Sequence, residues 1–380
     1  MAMDRLFLLM KEKEASDMFF AVNSPVHLKI NGNLIPINQQ KLDRDNIQSL
    51  LSEVISDEQM QELNDKNELN MGIPVQNIGR FRLSAFRQRG SISAVFRFVP
   101  GIIPALEELG LPPVLAELIM EKRGLILVVG ATGSGKSTTI ASMLDYRNER
   151  RSGHILTLED PIEYLFRNKK SIVNQREIGT DTKDLYTALR NSMRQAPDCI
   201  LIGEIRDKET MAAALAYAQS GHLVLATLHA NNSYNALNRV ISFYPMENRA
   251  SLLQDLASTV KAIISQRLVR SIHGGSRTPA VEIMVNTRYV SELIEKGDIA
   301  EIKEAMEKSL SPGSQSFEAA LVQLVREGAI SQEDALAHAD SATNLLWMLN
   351  NGPDSKMAQQ PELKTVEEPL PSYTEFTLNM

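Results

Sequence analysis

Short apolar runs punctuate the middle of the chain. They fall at 125–129 (Leu-Ile-Leu-Val-Val), 156–158, 199–202 and 223–228. Each is too short for a helix and ends at a Gly or a polar residue, which reads as a strand buried on both faces. Helical stretches separate them as far as about residue 275. Strands alternating with helices predict a mostly parallel sheet covered on both sides. Residues 1–100 follow another pattern. An apolar face of Leu6, Leu8, Leu9 and Met10 marks a first helix ending near Ala15. Strands follow at 26–30 and 34–37, joined by an Asn31-Gly32 turn signal. A polar helical stretch then runs from Arg44 to Leu63. Residues 79–87 and 91–98 alternate partly, as half-exposed strands do. The expectation is an α/β protein with a mixed α/β domain over 1–100 ahead of a parallel-sheet domain.

Between about 100 and 115, Pro100, Gly101, Pro104, Gly110, Pro112 and Pro113 interrupt regular structure and mark a linker at 101–115. A helix from Val114 to Lys122 leads into the next domain. From Arg249 to Arg270, Leu252, Leu253, Leu256, Val260, Ile263 and Ile264 recur at helical spacing. That predicts one helix with its apolar face on the core. Residues 287–350 read as helical, broken at Ser311-Pro312-Gly313-Ser314. The stretch from 352, with four prolines and several glutamates, reads as a disordered tail at 351–380. Its Tyr373, Phe376 and Leu378 could dock on a partner or serve no purpose.

The chemistry concentrates at the ends of the apolar runs. Gly130-Ala131-Thr132-Gly133-Ser134-Gly135-Lys136-Ser137 matches the G-x-x-x-x-G-K-[ST] phosphate loop at every fixed position. Gly130, Gly133 and Gly135 let backbone N–H groups turn inward around a polyphosphate. Thr132 and Ser134 lie within the loop. Lys136 reaches the β- and γ-phosphates, and Ser137 ligates Mg²⁺. Thr138 continues into a helix whose N-terminus faces the phosphates. The strand before and the helix after supply the context the motif requires.

Further clusters narrow the reading. Thr157-Leu158-Glu159-Asp160-Pro161-Ile162-Glu163 delivers carboxylates at a strand end, where open α/β sheets bind ligands. Such acids hold Mg²⁺ through water or polarise an attacking water; an acidic surface turn would look the same in isolation. In 198–207 an apolar strand ends on Gly203-Glu204, a Walker-B arrangement with Glu as its acid. Two histidines flank the 223–228 strand. His229, at its carboxyl end, falls near the γ-phosphate as a polar sensor, with no ligand set for a metal of its own. Arg80, Arg82, Arg87, Arg89 and Arg97 cluster on the strands of the first domain. They are either solvated strand residues or a source of arginine fingers, a task that permanent charge and forked donors suit.

Composition changes this picture little. The chain has 380 residues, room for two or three domains. Its formal charge of −7 disfavours a broad grip on nucleic acid, which rests on phosphate neutralisation by Lys and Arg. The one cysteine, Cys199, excludes an intramolecular disulfide and a multi-cysteine zinc site. No apolar stretch approaches the ~20 residues needed to span a bilayer. No secretory signal is read at the N-terminus, so a reducing cytoplasm is expected.

Taken together, the motifs resemble those of the secretion ATPase superfamily of type II, type IV pilus and type IV secretion systems. A Walker A, an aspartate box, an atypical Walker B and a histidine box correspond to 130–137, 157–163, 200–204 and 221–229. The match runs from Ala15-Ser16-Asp17 to about residue 330 and is similar to the pilus retraction ATPases of the PilT/PilU type. Assembly and secretion ATPases of the superfamily usually add an N-terminal domain and often a four-cysteine zinc module. This chain has neither the length nor the cysteines. The PilT-type segment A-I-R-N-L-I-R-E corresponds to Tyr289-Val290-Ser291-Glu292-Leu293-Ile294-Glu295-Lys296, which lacks both arginines. With the long tail, this points to the PilU-type branch.

The resemblance implies a PAS-like N-terminal domain over 1–100, a RecA-like P-loop NTPase domain over 116–350 with a helical C-terminal region, and a homo-hexameric ring. It implies ATP and Mg²⁺ as cofactors, with Ser137, Glu159 and Glu204 toward the metal. Glu163 and Glu204 share water activation, His229 senses the γ-phosphate, and Arg82 and Arg97 contact the triphosphate with Arg80 close by. The implied activity is ATP hydrolysis that powers or assists type IV pilus retraction and twitching motility. The implied partners are a PilT-type ATPase and an inner-membrane platform protein, at the cytoplasmic face of the inner membrane at the pilus base. No nucleic-acid partner and no membrane insertion are expected. Two alternatives remain at this stage: a nucleotide-regulated scaffold that modulates a partner motor, and a nucleic-acid motor.

Overall fold

The computed structural model describes residues 2–30, 32–76, 78–99, 101–274, 277–308 and 313–351. Asn31 of the turn signal, Pro100, Ser311-Pro312 of the C-terminal break and the whole tail from 352 lie outside the described residues. The chain divides into two compact units, Met1–Ile102 and, for the second, Ile103–Gln360.

In the first unit α1 (Ala2–Glu12) precedes β1 (Asp17–Phe20), β2 (His27–Ile30) and β3 (Asn33–Pro36). Then come α2 (Arg44–Ser52), α3 (Asp57–Lys66), β4 (Glu68–Val75), β5 (Gly79–Gln88) and β6 (Ser91–Val99). The strands form one antiparallel sheet, ordered β3-β2-β1-β6-β5-β4. Its inner face buries Phe81, Leu83 and Phe96 against Met3, Leu6, Phe7 and Met10 of α1. Phe7 stacks on Phe81 at 4.1 Å between ring centroids. Each such side chain contributes roughly 1.5–3 kcal/mol by leaving water. This is the PAS-like α/β unit. Two expectations are corrected here. The first helix stops at Glu12, because Glu14 takes a left-handed φ of 51°. The polar stretch 44–63 is two helices, because a second start signal lies inside it. Asp43 with Asn46, and Ser56 with Gln59, each form a capping box.

The second unit opens with α4 (Val114–Ile119), β7 (Gly124–Val129), α5 (Lys136–Arg150), β8 (Gly153–Glu159) and β9 (Ser171–Glu177). It continues with α6 (Leu185–Ser192), β10 (Cys199–Ile202), α7 (Lys208–Gln219), β11 (Leu223–Leu228) and α8 (Ser233–Ser242). Then follow α9 (Met246–Thr259), β12 (Val260–Arg270) and β13 (Arg277–Val285). The sheet order is β13-β12-β7-β11-β10-β8-β9, parallel except for the β12–β13 pair. Separate apolar clusters cover its two faces, as the strand composition requires. Cys199 is fully buried in β10, and burial pushes its thiol up to about 11. Residues 103–115 pack with this unit: Leu106 is buried, and Ser142 Oγ donates to the Pro104 carbonyl at 2.8 Å.

The predicted helix over 249–270 is half correct. The helix stops at Thr259, and Val260, Ile263 and Ile264 belong to β12, which runs parallel to β7. Their β-branched side chains favour a strand. No Gly or Pro marks the switch, so apolar spacing carried the helical pattern across it.

The C-terminal region consists of α10 (Arg288–Lys296), α11 (Glu301–Glu307), α12 (Phe317–Arg326), α13 (Gln332–His338) and α14 (Ala342–Asn351). Phe317, Leu321, Ile330, Ala335 and Leu345 form a core of their own against Val269 and Ala280 of β12 and β13. No described helix is long and apolar enough to cross a membrane.

Candidate nucleotide site

Strand register brings the sequence clusters together. Ile202 pairs with both Leu158 and Ala226, and Leu228 pairs with Val129. The carboxyl ends of β7, β8, β10 and β11 are therefore level, and the segments after them share one edge of the sheet. Hydrogen bonds stitch these ends. Gly203 N–H donates to Leu158 O at 2.8 Å, Ile205 N–H donates to Thr227 O at 2.8 Å, and Thr227 Oγ1 donates to Gly203 O. A Cβ on Gly203 would sit 3.0 Å from Leu158 O, so this close seam requires a small residue.

The phosphate loop connects β7 to α5. Gly130 and Gly133 adopt φ of 149° and 79°. A left-handed Gly135 starts α5 with no side-chain cap. The first N–H groups of that helix have no intrahelical acceptor and so face the loop. Lys136 Nζ donates to Gly130 O at 2.8 Å and Ala131 O at 2.9 Å. Burial lowers the Lys136 pKa, while the nearby Glu204 and Glu163 carboxylates raise it. Ser134 is buried, and its Oγ has no hydrogen-bond partner among the described residues. Thr138 Oγ1 lies 2.8 Å from Tyr164 Oη, tying α5 to the aspartate-box segment. One residue on, Thr139 Oγ1 donates to Gln266 Oε1 of β12 at 2.7 Å, a buried bond that fixes the loop from behind.

Glu204 stands between two cationic or potentially cationic groups. His229 Nε2 is 2.9 Å from its Oε1, and Arg206 Nε is 2.6 Å from its Oε2. Arg206 also reaches Asp160 at 3.8 Å. Glu159 lies at the end of β8, where its Oε1 accepts from Thr157 at 2.6 Å and Gln175 at 3.1 Å. Burial raises the Glu159 pKa against those bonds. Glu163 is exposed, on the segment after β8. A cavity of about 300 Å³ between the phosphate loop and α8 is lined by Gly130, Ala131, His229, Asn231, Asn235 and Arg239.

This donor set suits Mg²⁺ with a polyphosphate. The hard cation keeps waters and takes one or two carboxylates plus phosphate oxygens, rather than an all-protein cage. Ser137 at the start of α5, with Glu204 and Glu159 at the same sheet edge, offers oxygens of that kind. No cluster of three or more His, Cys, Asp or Glu able to hold a metal occurs among the described residues.

The expected arginines lie in the first unit. Arg82 pairs with Arg97 across β5 and β6, and Arg97 pairs with Asp17 across β6 and β1. Arg97 Nε donates to Asp17 Oδ1 at 2.8 Å; the Asp17 side chain is 5 % exposed and that of Arg97 is 61 % exposed. The Arg80 guanidinium lies over Gly72, where any Cβ would collide with it.

A family model described as "Type II/IV secretion system protein" matches residues 3–292. The chain belongs to this secretion ATPase family. Among family members it is 44% identical over 355 residues to the type IV pilus ATPase PilU of Pseudomonas aeruginosa, covering 93% of each chain. It is 38% identical over 344 residues to the same organism's retraction ATPase PilT, covering 90% of this chain and 100% of PilT. A crystal structure of the pilus retraction motor PilT with bound ADP superposes at a TM-score of 0.84, with 38% identity over 90% of this chain and 99% of the other.

The fold adds to the site residues that no motif includes. Arg206, two positions beyond Glu204, was visible in the string, but nothing there showed which way it turns. Tyr164 borders the aspartate box. Gln266 gave no signal, since it fell in a segment read as helix.

Proposed function

We propose that this family member is an ATP-hydrolysing subunit of a homo-hexameric motor that powers or assists type IV pilus retraction, beside a PilT-type partner. The observation that carries the reading is the convergence of the phosphate loop, Glu204 and His229 at one sheet edge. The full-length similarity to proteins named as type IV pilus ATPases, one solved with ADP, supports it.

In this reading the loop N–H groups and Lys136 bind the β- and γ-phosphates. Ser137, with Glu204 and Glu159, would hold Mg²⁺, which would supply positive charge to offset that of the phosphates. Water attacks the γ-phosphorus, the bond to the β,γ-bridging oxygen breaks, and the water's proton passes to a carboxylate. Glu204 and Glu163 share that task, and His229 orients Glu204 and reports the γ-phosphate. Positioning and electrostatics provide most of the catalysis in such reactions. Arg82 and Arg97, with Arg80 beside them, contact the triphosphate. Their attraction to it would close the subunit, and losing the γ-phosphate on hydrolysis would release it. Linked around the ring, these movements turn an inner-membrane platform protein at the cytoplasmic face of the pilus base.

The test is steady-state ATP turnover of wild-type and Glu204→Ala protein, alone and mixed with a PilT-type partner. Turnover that collapses in Glu204→Ala is expected. No turnover alone, with partner activity altered equally by wild type and Glu204→Ala, would replace the motor with a regulatory scaffold.

A further inference from the structure

The two residues that follow His229-Ala230 are strapped to the C-terminal helical region. Asn231 O accepts from an Arg267 Nη at 3.1 Å. Asn232, 2 % exposed and the N-cap of α8, donates through Nδ2 to Asp340 Oδ2 at 2.9 Å. The other Asp340 oxygen, Oδ1, pairs with Arg267. Arg267 also donates to the His338 carbonyl and lies 3.8 Å over the Phe317 ring. Asp340 thus spends both carboxylate oxygens on the histidine loop and its strap, from the turn between α13 and α14. The pair is largely removed from water, with side chains 19 % and 13 % exposed. Charge-assisted bonds of this kind are the strong and directional ones. The neighbouring residue on β12, Gln266, holds Thr139 just beyond the phosphate loop.

We propose that Arg267 and Asp340 are positioning residues for hydrolysis. They fix the loop that aims His229 at Glu204, so the C-terminal helices set the turnover rate from outside the nucleotide site. The inference rests on the reading of Glu204 and His229 given under Proposed function. Physically, one carboxylate holds a backbone strap and a helix cap at once. Releasing it frees the residues directly after His229, whose Nε2 must stay within hydrogen-bond distance of Glu204. A displacement of about 1 Å at such a contact can cost up to ~100-fold in rate.

The experiment measures kcat and KM for MgATP on the full chain, with nucleotide affinity by direct titration. The variants are Asp340→Asn, Arg267→Lys, His229→Ala and the double variant Asp340→Asn/His229→Ala. Asp340→Asn is expected to lower kcat about tenfold with ATP affinity within about threefold, and Arg267→Lys to lower it by less. In the His229→Ala background Asp340→Asn should add less than about a twofold loss, since the effect passes through His229. Leu345→Ala loosens the same helical core without touching the strap and should leave kcat within about twofold below its melting temperature. Unchanged kcat in Asp340→Asn overturns the proposal. So does an equal loss in the His229→Ala background, or an equal loss in Leu345→Ala. If Asp340→Asn does not fold, Arg267→Lys carries the same comparison. Absence of wild-type turnover would instead sink the catalytic reading itself, and the inference with it.

Discussion

Two glycines of the phosphate loop share a motif and differ in what surrounds them, so alanine should act on them through different physics. At Gly133 a Cβ meets nothing within 4 Å, and only its φ of 79° resists substitution. A left-handed residue with a Cβ costs roughly 1–2 kcal/mol. Alanine returns roughly 0.4–1 kcal/mol by restricting the unfolded chain. The net cost of Gly133→Ala is therefore about 1 kcal/mol. At Gly130 a Cβ would lie 2.6 Å from the Gln266 carbonyl and 2.6 Å from Ser134 Oγ. That carbonyl belongs to β12, next to β7 in the sheet, and has little freedom to retreat. Overpacking of this kind costs roughly 1–3 kcal/mol more. Gly130→Ala should thus cost about 3 kcal/mol.

Urea denaturation of the two variants is the assay. At a slope of about 1–3 kcal/mol/M, a difference of about 2 kcal/mol moves the midpoint by about 1 M. ATP affinity should run the other way. Gly133→Ala, at the open tip of the proposed phosphate cradle, should weaken binding more than it weakens the fold. Gly130→Ala no less stable than Gly133→Ala would refute the reasoning, because the seam with β12 would then impose no constraint.

Glu204→Gln should lower kcat by about 100- to 10,000-fold, the range for removing a positioned base. Its stability should change by less than about 1 kcal/mol, because its partners Arg206 and His229 are more than half exposed. Turnover within tenfold of wild type would move the base to Glu163. Glu159→Gln should stabilise the protein at neutral pH. Burial raises the Glu159 pKa, so the folded state holds its proton more tightly than the unfolded chain, and stability falls as pH rises from the ordinary glutamate value through the raised one. Glutamine removes that decline, and melting curves at pH 5 and 8 would reveal it; equal pH dependence in the two proteins contradicts it. Asp17→Asn should loosen Arg97 and reduce kcat without altering the phosphate loop. Wild-type kcat in that variant would remove Arg97 from the list of triphosphate contacts.

The sequence was most legible where one element carried both pattern and chemistry. The 125–129 run with its loop, the 223–228 run with His229 and the 199–202 run with Glu204 each declared a buried strand and the group at its end. Parallel packing of buried strands then leaves little choice but to bring those ends to one edge. It was least legible where apolar spacing served two structures. Val260, Ile263 and Ile264 suit a helix face by position and a buried strand by shape, and only the vacancy beside β7 decides. That misreading hid Gln266 and Arg267, whose partners Thr139 and Asp340 are distant in sequence. The strands β1, β4, β9 and β13 also escaped the pattern: at the register positions that matter their residues are mixed, and pairing with a neighbour makes them strands.

The paired state of the charged groups bears on how the site can act. Lys136 is held by two carbonyls, Glu204 by His229 and Arg206, and Arg97 by Asp17. Asp17 is 5 % exposed and would be costly to leave unpaired, while Lys136 and Glu204 are only partly buried, so the Asp17–Arg97 contact lowers the cost of folding most. In the proposed reading, a triphosphate entering the loop would compete with the carbonyls for Lys136, and a cation would compete with Arg206 and His229 for Glu204. Binding then exchanges partners within a prearranged set of charges, and the net gain is smaller than the sum of new contacts. The same exchange would make the site sensitive to the γ-phosphate. In that reading the exposed Arg206 would be the partner Glu204 gives up most readily, while Asn232, bonded to Asp340, keeps the segment after His229 in place.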